Sequence, residues 1–174
     1  METRCAVLLR GVNVGKHNRI AMADLRALLA EVGATDVRTL LQSGNAAVTA
    51  EPDGLADRLE AALATSGVGV RVLVRTREEL DRVVAANPWP DRAEADPKMV
   101  HVAFLEHPAD PSVIEAFGAR HGNDEIAVGE KELYLSYAAS SFDSPINKVL
   151  TKISGVASAR NWNTVLKLRD LVLG

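Results

Sequence analysis

A chain of 174 residues is long enough for one large domain or two small ones, and a formal net charge of −3 argues against a broad electrostatic nucleic-acid binder while leaving room for a local basic patch. Hydrophobic residues at 47% and charged residues at 25% are those of an ordinary soluble protein, and no apolar run approaches the ~20 residues of a membrane helix. The single cysteine, Cys5, has no intramolecular disulfide partner, and its apolar surroundings read as those of an inert buried thiol. The opening Met-Glu-Thr-Arg has no signal-peptide pattern, so a reducing cytoplasm is the expected location.

Cys5 to Leu9 is a short apolar run that predicts a buried strand. A loop over 11–18 follows, then a helix over 22–32 with Met22, Leu25, Leu28, Leu29 and Val32 at helical spacing and Gly33 placed to stop it. Strands are expected over 36–42 and 46–50, joined tightly through Ser43-Gly44-Asn45. Pro52-Asp53 opens a second helix to Thr65, and 68–75 alternates as a fourth strand. The order β-α-β-β-α-β is the split β-α-β arrangement of a ferredoxin-like sheet. A helix over 76–86 connects onward, with Thr76 and Glu79 in capping-box register.

Asn87-Pro88-Trp89-Pro90 breaks the chain, and a polar stretch runs to Pro97. Beyond it, 99–105 reads as a strand, 111–120 as a helix, 125–128 and 132–137 as a hairpin, and 145–153 and 162–172 as helices. That order, β-α-β-β-α-α, repeats the first half one strand short, and no motif repeats with it. The expected fold class is therefore α+β: a ferredoxin-like unit followed by a second, incomplete one with C-terminal helices. The expected organisation is a first subdomain over 1–86, a linker over 87–97 and a second subdomain over 98–174.

Three polar motifs stand out: Arg10-Gly11-Val12-Asn13-Val14-Gly15-Lys16, Gln42-Ser43-Gly44-Asn45, and Arg160-Asn161-Trp162-Asn163-Thr164. Glycine beside asparagine suits a backbone that turns tightly and approaches a ligand. The candidate ligand-binding residues are Arg10, Asn13, Gly15, Lys16, Ser43, Gly44, Asn45, Arg160, Asn161, Trp162 and Asn163. Glycine-loop N–H groups with Arg10 and Lys16 would hold a phosphate or carboxylate. Arg160 beside a helix start offers a second anion contact, and the Trp162 indole a flat packing surface. Each motif also has a plainer reading as a turn, a loop brace or a helix cap. The β-α-β-β order does not by itself require the loop after the first strand to lie beside the 43–45 turn.

No residue is singled out as catalytic, and no cofactor is specified. GVNVGK is one residue short of a Walker loop, and His17 stands where the magnesium-binding hydroxyl would be. Ser43 lacks a G-x-S-x-G elbow. His17, His101, His107 and His121 lack metal-ligand spacing. The leading expectation is a protein that binds a small anionic or nucleotide-like ligand. Its alternatives are an enzyme acting on a phosphorylated or acylated substrate, with Glu31, Asp36 or His17 as base, and an interaction module whose motifs only lock the fold. A weak nucleic-acid backbone binder using Arg38, Arg71 and Arg75 is the last. The first strand, Cys5-Ala6-Val7-Leu8-Leu9, and the third, Ala46-Ala47-Val48-Thr49, carry no aromatics for base stacking.

The segments AVLLRGVNVGK, LLQSGNAAV and ARNWNTVLKL resemble the bacterial family catalogued as domain of unknown function 1697. Val12 stands where isoleucine is more usual, and His17 where glycine is common. The resemblance implies a cytoplasmic α/β protein built on ferredoxin-like units. It implies no activity, ligand or catalytic residue.

Overall fold

The computed structural model of the chain describes every residue except 14–15, 41–43, 118–119 and 154–156. It divides into two compact units, one of Met1–Asp81 with Lys167–Gly174 and one of Arg82–Leu166. The described residues form a mixed α/β structure with one sheet of four strands and one of five.

The first unit runs β1 (Thr3–Leu9), α1 (Met22–Glu31), β2 (Thr35–Leu40), β3 (Asn45–Ala50), α2 (Leu55–Thr65) and β4 (Val72–Thr76). Its sheet has the order β2-β3-β1-β4, and all its pairings are antiparallel. Strand geometry sends alternate residues to opposite faces. Cys5, Val7 and Leu9 of β1 and Ala46 and Val48 of β3 meet Leu25 and Leu29 of α1 and Leu55, Leu59 and Leu63 of α2 in one core. Ala6, Leu8, Ala47 and Leu73, on the opposite face, are buried as well. Burial on both faces is why 5–9 reads as an unbroken apolar run rather than an alternating one. Cys5 is fully buried, and burial pushes its thiol up to about 11 against the pull of Arg4, so the neutral, unreactive form prevails.

The ends of the elements follow their local chemistry. Gly33 takes φ 94° just beyond α1, a conformation that costs glycine little. The helix α3 (Arg77–Ala85) starts with a reciprocal capping box: Thr76 N–H donates to Glu79 Oε2 at 2.8 Å, and Glu79 N–H donates to Thr76 Oγ1 at 3.3 Å. Arg4 ties the C-terminal residues to this unit by donating to the carbonyls of Leu171 (2.9 Å) and Val172 (3.4 Å), while its Nη1 meets Asp36 Oδ2 at 2.8 Å.

The second unit contains α4 (Pro90–Ala95), β5 (Val100–Leu105), α5 (Pro111–Phe117), β6 (Arg120–His121), β7 (Asp124–Val128), β8 (Glu132–Ser136), α6 (Ile146–Leu150), β9 (Ala157–Asn161) and the first residues of α7 (Trp162–Leu173). Its sheet has the order β6-β7-β8-β5-β9, again antiparallel throughout. The sequence-based expectation of an incomplete second unit is corrected here. Residues 157–161 form an edge strand on β5, with Val102 opposite Arg160 and Ala103 opposite Ala159. Apart from the two-residue β6, the order β7-β8-β5-β9 repeats that of β2-β3-β1-β4. Ala-Ser-Ala-Arg-Asn has no β-branched or aromatic residue, so only its pairing makes it a strand. Within the predicted linker, 90–95 is a short helix with Pro90 in its first turn. The core of this unit gathers Ala103, Leu105, Leu133, Leu135 and Tyr137 against Ile114, Ile146 and Val149.

Candidate functional site

The first two polar motifs meet in the first unit. Antiparallel pairing sets the end of β1 beside the start of β3, with Leu8 opposite Asn45. Leu9 N–H donates to Gly44 O at 2.8 Å. The pairing decides what the element order alone left open, because antiparallel neighbours bring opposite chain ends together. Gly44 sits at φ 74°, and a Cβ built there would stand 2.4 Å from Val12 Cγ2 and 2.9 Å from Leu9 Cβ. This glycine serves a close approach between the two motifs. Asn45 is fully buried next to it. Gln42, Ser43, Val14 and Gly15 lie outside the described residues.

The loop after β1 is held by its own amide. Asn13 takes φ 54°, and its backbone N–H donates to Asn18 O at 3.0 Å. Its side chain bridges the loop both ways: Oδ1 accepts from Ile20 N–H at 2.9 Å, and Nδ2 donates to Ile20 O at 3.1 Å. Arg10 and Lys16 stand exposed on the same loop. The charged side chains thus face solvent while the amide fixes the backbone. Asn13→Ala removes both bonds to Ile20 and puts a residue without asparagine's tolerance of the left-handed conformation at φ 54°, so a loss of about 1–3 kcal/mol is expected in urea unfolding. Asn13→Gly is expected to lose less, since only the bonds go and the backbone strain is relieved. Equal losses would show that the backbone conformation contributes nothing.

Sequence reasoning passed over the residues that complete this region. Asn13, Arg19, Ile20, Ala21 and Met22 line a hollow of about 280 Å³ at the start of α1. Ala21 occupies the N-cap without a side-chain hydrogen bond to the helix, so the first-turn N–H groups lack the partner that Ser, Thr, Asp or Asn would supply. The signal was present in the sequence. No acidic residue occurs from Arg10 to Ala23, and no capping residue stands directly before Met22.

The third motif belongs to the second unit. Arg160 lies on β9 opposite Val102, and Nη1 donates to Ala159 O at 2.9 Å. Burial lowers its pKa to about 10, which leaves it cationic at neutral pH. Asn161 Oδ1 accepts from Thr164 N–H at 3.0 Å, the N-cap bond of α7. Trp162 N–H donates to Pro97 O at 3.1 Å, and its indole is buried. Trp162 and Asn163 line a cavity of about 510 Å³ within this unit.

Among the described residues, no group of three or more His, Cys, Asp and Glu could hold a metal ion. No helix among them is long and apolar enough to cross a membrane. His101 is lowered by burial, against a bond from its Nε2 to Lys98 O at 2.9 Å, and packs edge-on to Tyr137.

A solved structure of a conserved bacterial protein from Streptococcus pneumoniae superposes with a TM-score of 0.77 at 22% identity, covering 99% of each chain. At that identity the likeness speaks to the fold. No curated protein matches the chain. A family model described as a protein of unknown function, DUF1697, matches residues 1–134, a span that includes the first two motifs and stops short of Arg160–Thr164. With most of its length inside that match, the chain belongs to the DUF1697 family of proteins of unknown function.

Proposed function

We propose that this protein binds a small anionic molecule, of the phosphate or nucleotide type, at the loop between β1 and α1. One observation carries the reading: Arg10 and Lys16 are exposed on a loop in which Asn13 is tied to Ile20 and Val12 packs at Gly44. Backbone tied down before binding loses little conformational freedom on binding. The uncapped start of α1 adds oriented N–H groups and the positive end of a helix dipole. Arginine and lysine supply charge-assisted bonds to phosphate oxygens. A second reading draws on Asn13, Gly44 and Asn161, whose bonds and contacts all serve the protein itself; in that reading these three hold the fold and do not touch ligand.

The test is a thermal-shift screen against inorganic phosphate, nucleoside phosphates and sugar phosphates, with the double variant Arg10→Ala/Lys16→Ala run beside the parent. A ligand at about 100 times its Kd stabilises the native state by roughly 2.7 kcal/mol, a shift on the order of 5–10 °C for a chain of this size. The double variant is expected to melt at the parent temperature without ligand and to bind about 10–100-fold more weakly. A shift of the same size in both proteins, or no shift with any of these anions, rejects the site.

A further inference from the structure

We propose that the chain pairs with a second copy of itself through the second unit, each copy seating Phe142 in the apolar hollow beside Trp162 of the other. The pairing uses none of the residues of the anion site. Phe142 is 91% exposed, on the segment between β8 and α6. That segment is tied down. Asp124 fastens both its ends, at Ala138 N–H and at the Ser144 hydroxyl. Phe142 N–H donates to Ser140 Oγ at 3.2 Å, and Asn147 Nδ2 donates to Ser141 O at 2.8 Å and to Phe142 O at 3.1 Å. A phenyl ring held in water on a tied backbone has apolar area to bury and little freedom left to lose, as an interface anchor requires.

The hollow supplies the counterpart. It measures about 510 Å³, and Val84, Ala85, Pro90, Pro97, Trp162 and Leu166 give it mostly apolar walls. An apolar cavity of about 150 Å³ already holds benzene, so the space suffices for a phenyl ring. The charges around the two surfaces are opposite. Beside Phe142, Lys148 of α6 and Lys152 one turn further on are exposed, against the single acid Asp143. At the hollow, Asp91, Glu94 and Asp96 are exposed on and just after α4, against Lys98. The remaining cation of α4, Arg92, is engaged by Glu125 at 2.8 Å. Lysines meeting acids fix the register of two surfaces and speed their encounter.

Both features lie at one end of the five-stranded sheet. Val100 pairs with Ser136 and His101 with Asn161, so β5 starts where β8 and β9 finish. The segment carrying Phe142 leaves β8 at that end, and there too Pro97 precedes β5 and Trp162 follows β9. A two-fold pair needs anchor and socket within reach of one axis, and it then buries two copies of each contact. On a lipid surface the same face would offer one ring and two lysines, and a single hydrophobic anchor gives only marginal attachment.

The experiment is sedimentation velocity of the full chain from about 1 to 300 µM, beside Phe142→Ser and Ala85→Arg. The parent is expected to pass from monomer to dimer with a Kd of about 10–100 µM, as suits a small interface. Phe142→Ser removes the anchor, and Ala85→Arg puts a cation in the hollow where the lysines approach, so each is expected to raise that Kd about tenfold or more. Both positions are exposed, so both variants are expected to melt at the parent temperature, and if one does not fold the other decides. A mixture of the two variants is the sharper arm. One copy keeps its hollow and the other its Phe142, so the mixture is expected to associate more tightly than either variant alone. Arg10→Ala/Lys16→Ala is expected to associate like the parent, so the pairing and the anion site stand or fall separately. The proposal is overturned by a parent that stays monomeric at the highest concentration, by association that folded Phe142→Ser leaves unchanged, or by a mixture no tighter than its components. A monomeric parent that binds vesicles of phosphatidylcholine and phosphatidylglycerol, and loses that binding in Phe142→Ser, overturns it in favour of a membrane surface.

Discussion

Replacing Gly44 with alanine is expected to cost about 2–5 kcal/mol of stability, the sum of left-handed backbone strain near 1–2 and overpacking near 1–3. Both terms come from the meeting of the first two motifs. Gly44 holds φ 74°, and its new Cβ would fall 2.4 Å from Val12 Cγ2 and 2.9 Å from Leu9 Cβ. Val12 is β-branched and stiff at χ1, and Leu9 Cβ is tied to the backbone of β1, so neither yields cheaply. The Leu9 N–H bond to Gly44 O resists the separation that would relieve the clash. Gly11→Ala is the control, for Gly11 has a similar φ of 75° but nothing within 4 Å of the added carbon. It should lose only the backbone term, about 1–2 kcal/mol. Urea unfolding of the two variants measures the difference. Equal losses would mean that the contact between the motifs has no energetic weight, and the site would lose the element that holds its turn.

Asp124→Ala is expected to destabilise the second unit by about 3 kcal/mol, because two donors lose a charged acceptor at once. Asp124 is buried on β7; Oδ1 accepts from Ala138 N–H at 2.7 Å, and Oδ2 accepts from the Ser144 hydroxyl at 2.5 Å. Ser144 Oγ in turn accepts from Ile146 N–H at 3.2 Å at the start of α6. One carboxylate thus fastens both ends of the segment between β8 and α6. Asp124→Asn keeps one acceptor oxygen and turns an N–H₂ toward a hydroxyl that can accept, so about 1 kcal/mol is expected. Calorimetry orders the three proteins directly. If alanine and asparagine melt together, the charge is not what holds the segment. Ligand binding at the β1–α1 loop is expected to be unchanged in both, since that loop belongs to the other unit.

How much of this could be read from the residues depends on how local the physics is. The apolar run Cys5–Leu9, the stripe on α1 and the Thr76–Glu79 capping box are interactions within a few residues, and the structure has each of them. The strand β9 and the helix α4 escaped for the same reason in reverse. Ala157–Asn161 has no β-forming residue and becomes a strand by pairing with β5, more than fifty positions earlier. Pro90–Ala95 is too short to show a periodicity.

The candidate sites divide along the same line. Composition and order alone determined the family resemblance, the α/β class, the polar motifs and the acid-free basic stretch after β1. Tertiary structure decided what each polar residue does. It turned Asn13 inward to Ile20 and left Arg10 and Lys16 outside. It also pressed Gly44 against Val12 and buried the Asn87 side-chain N–H₂ without a partner among the described residues. The physical reason is that hydrogen-bond satisfaction and close packing are set by which atoms meet across the fold, and sequence spacing specifies such meetings only within a helix turn or a tight hairpin.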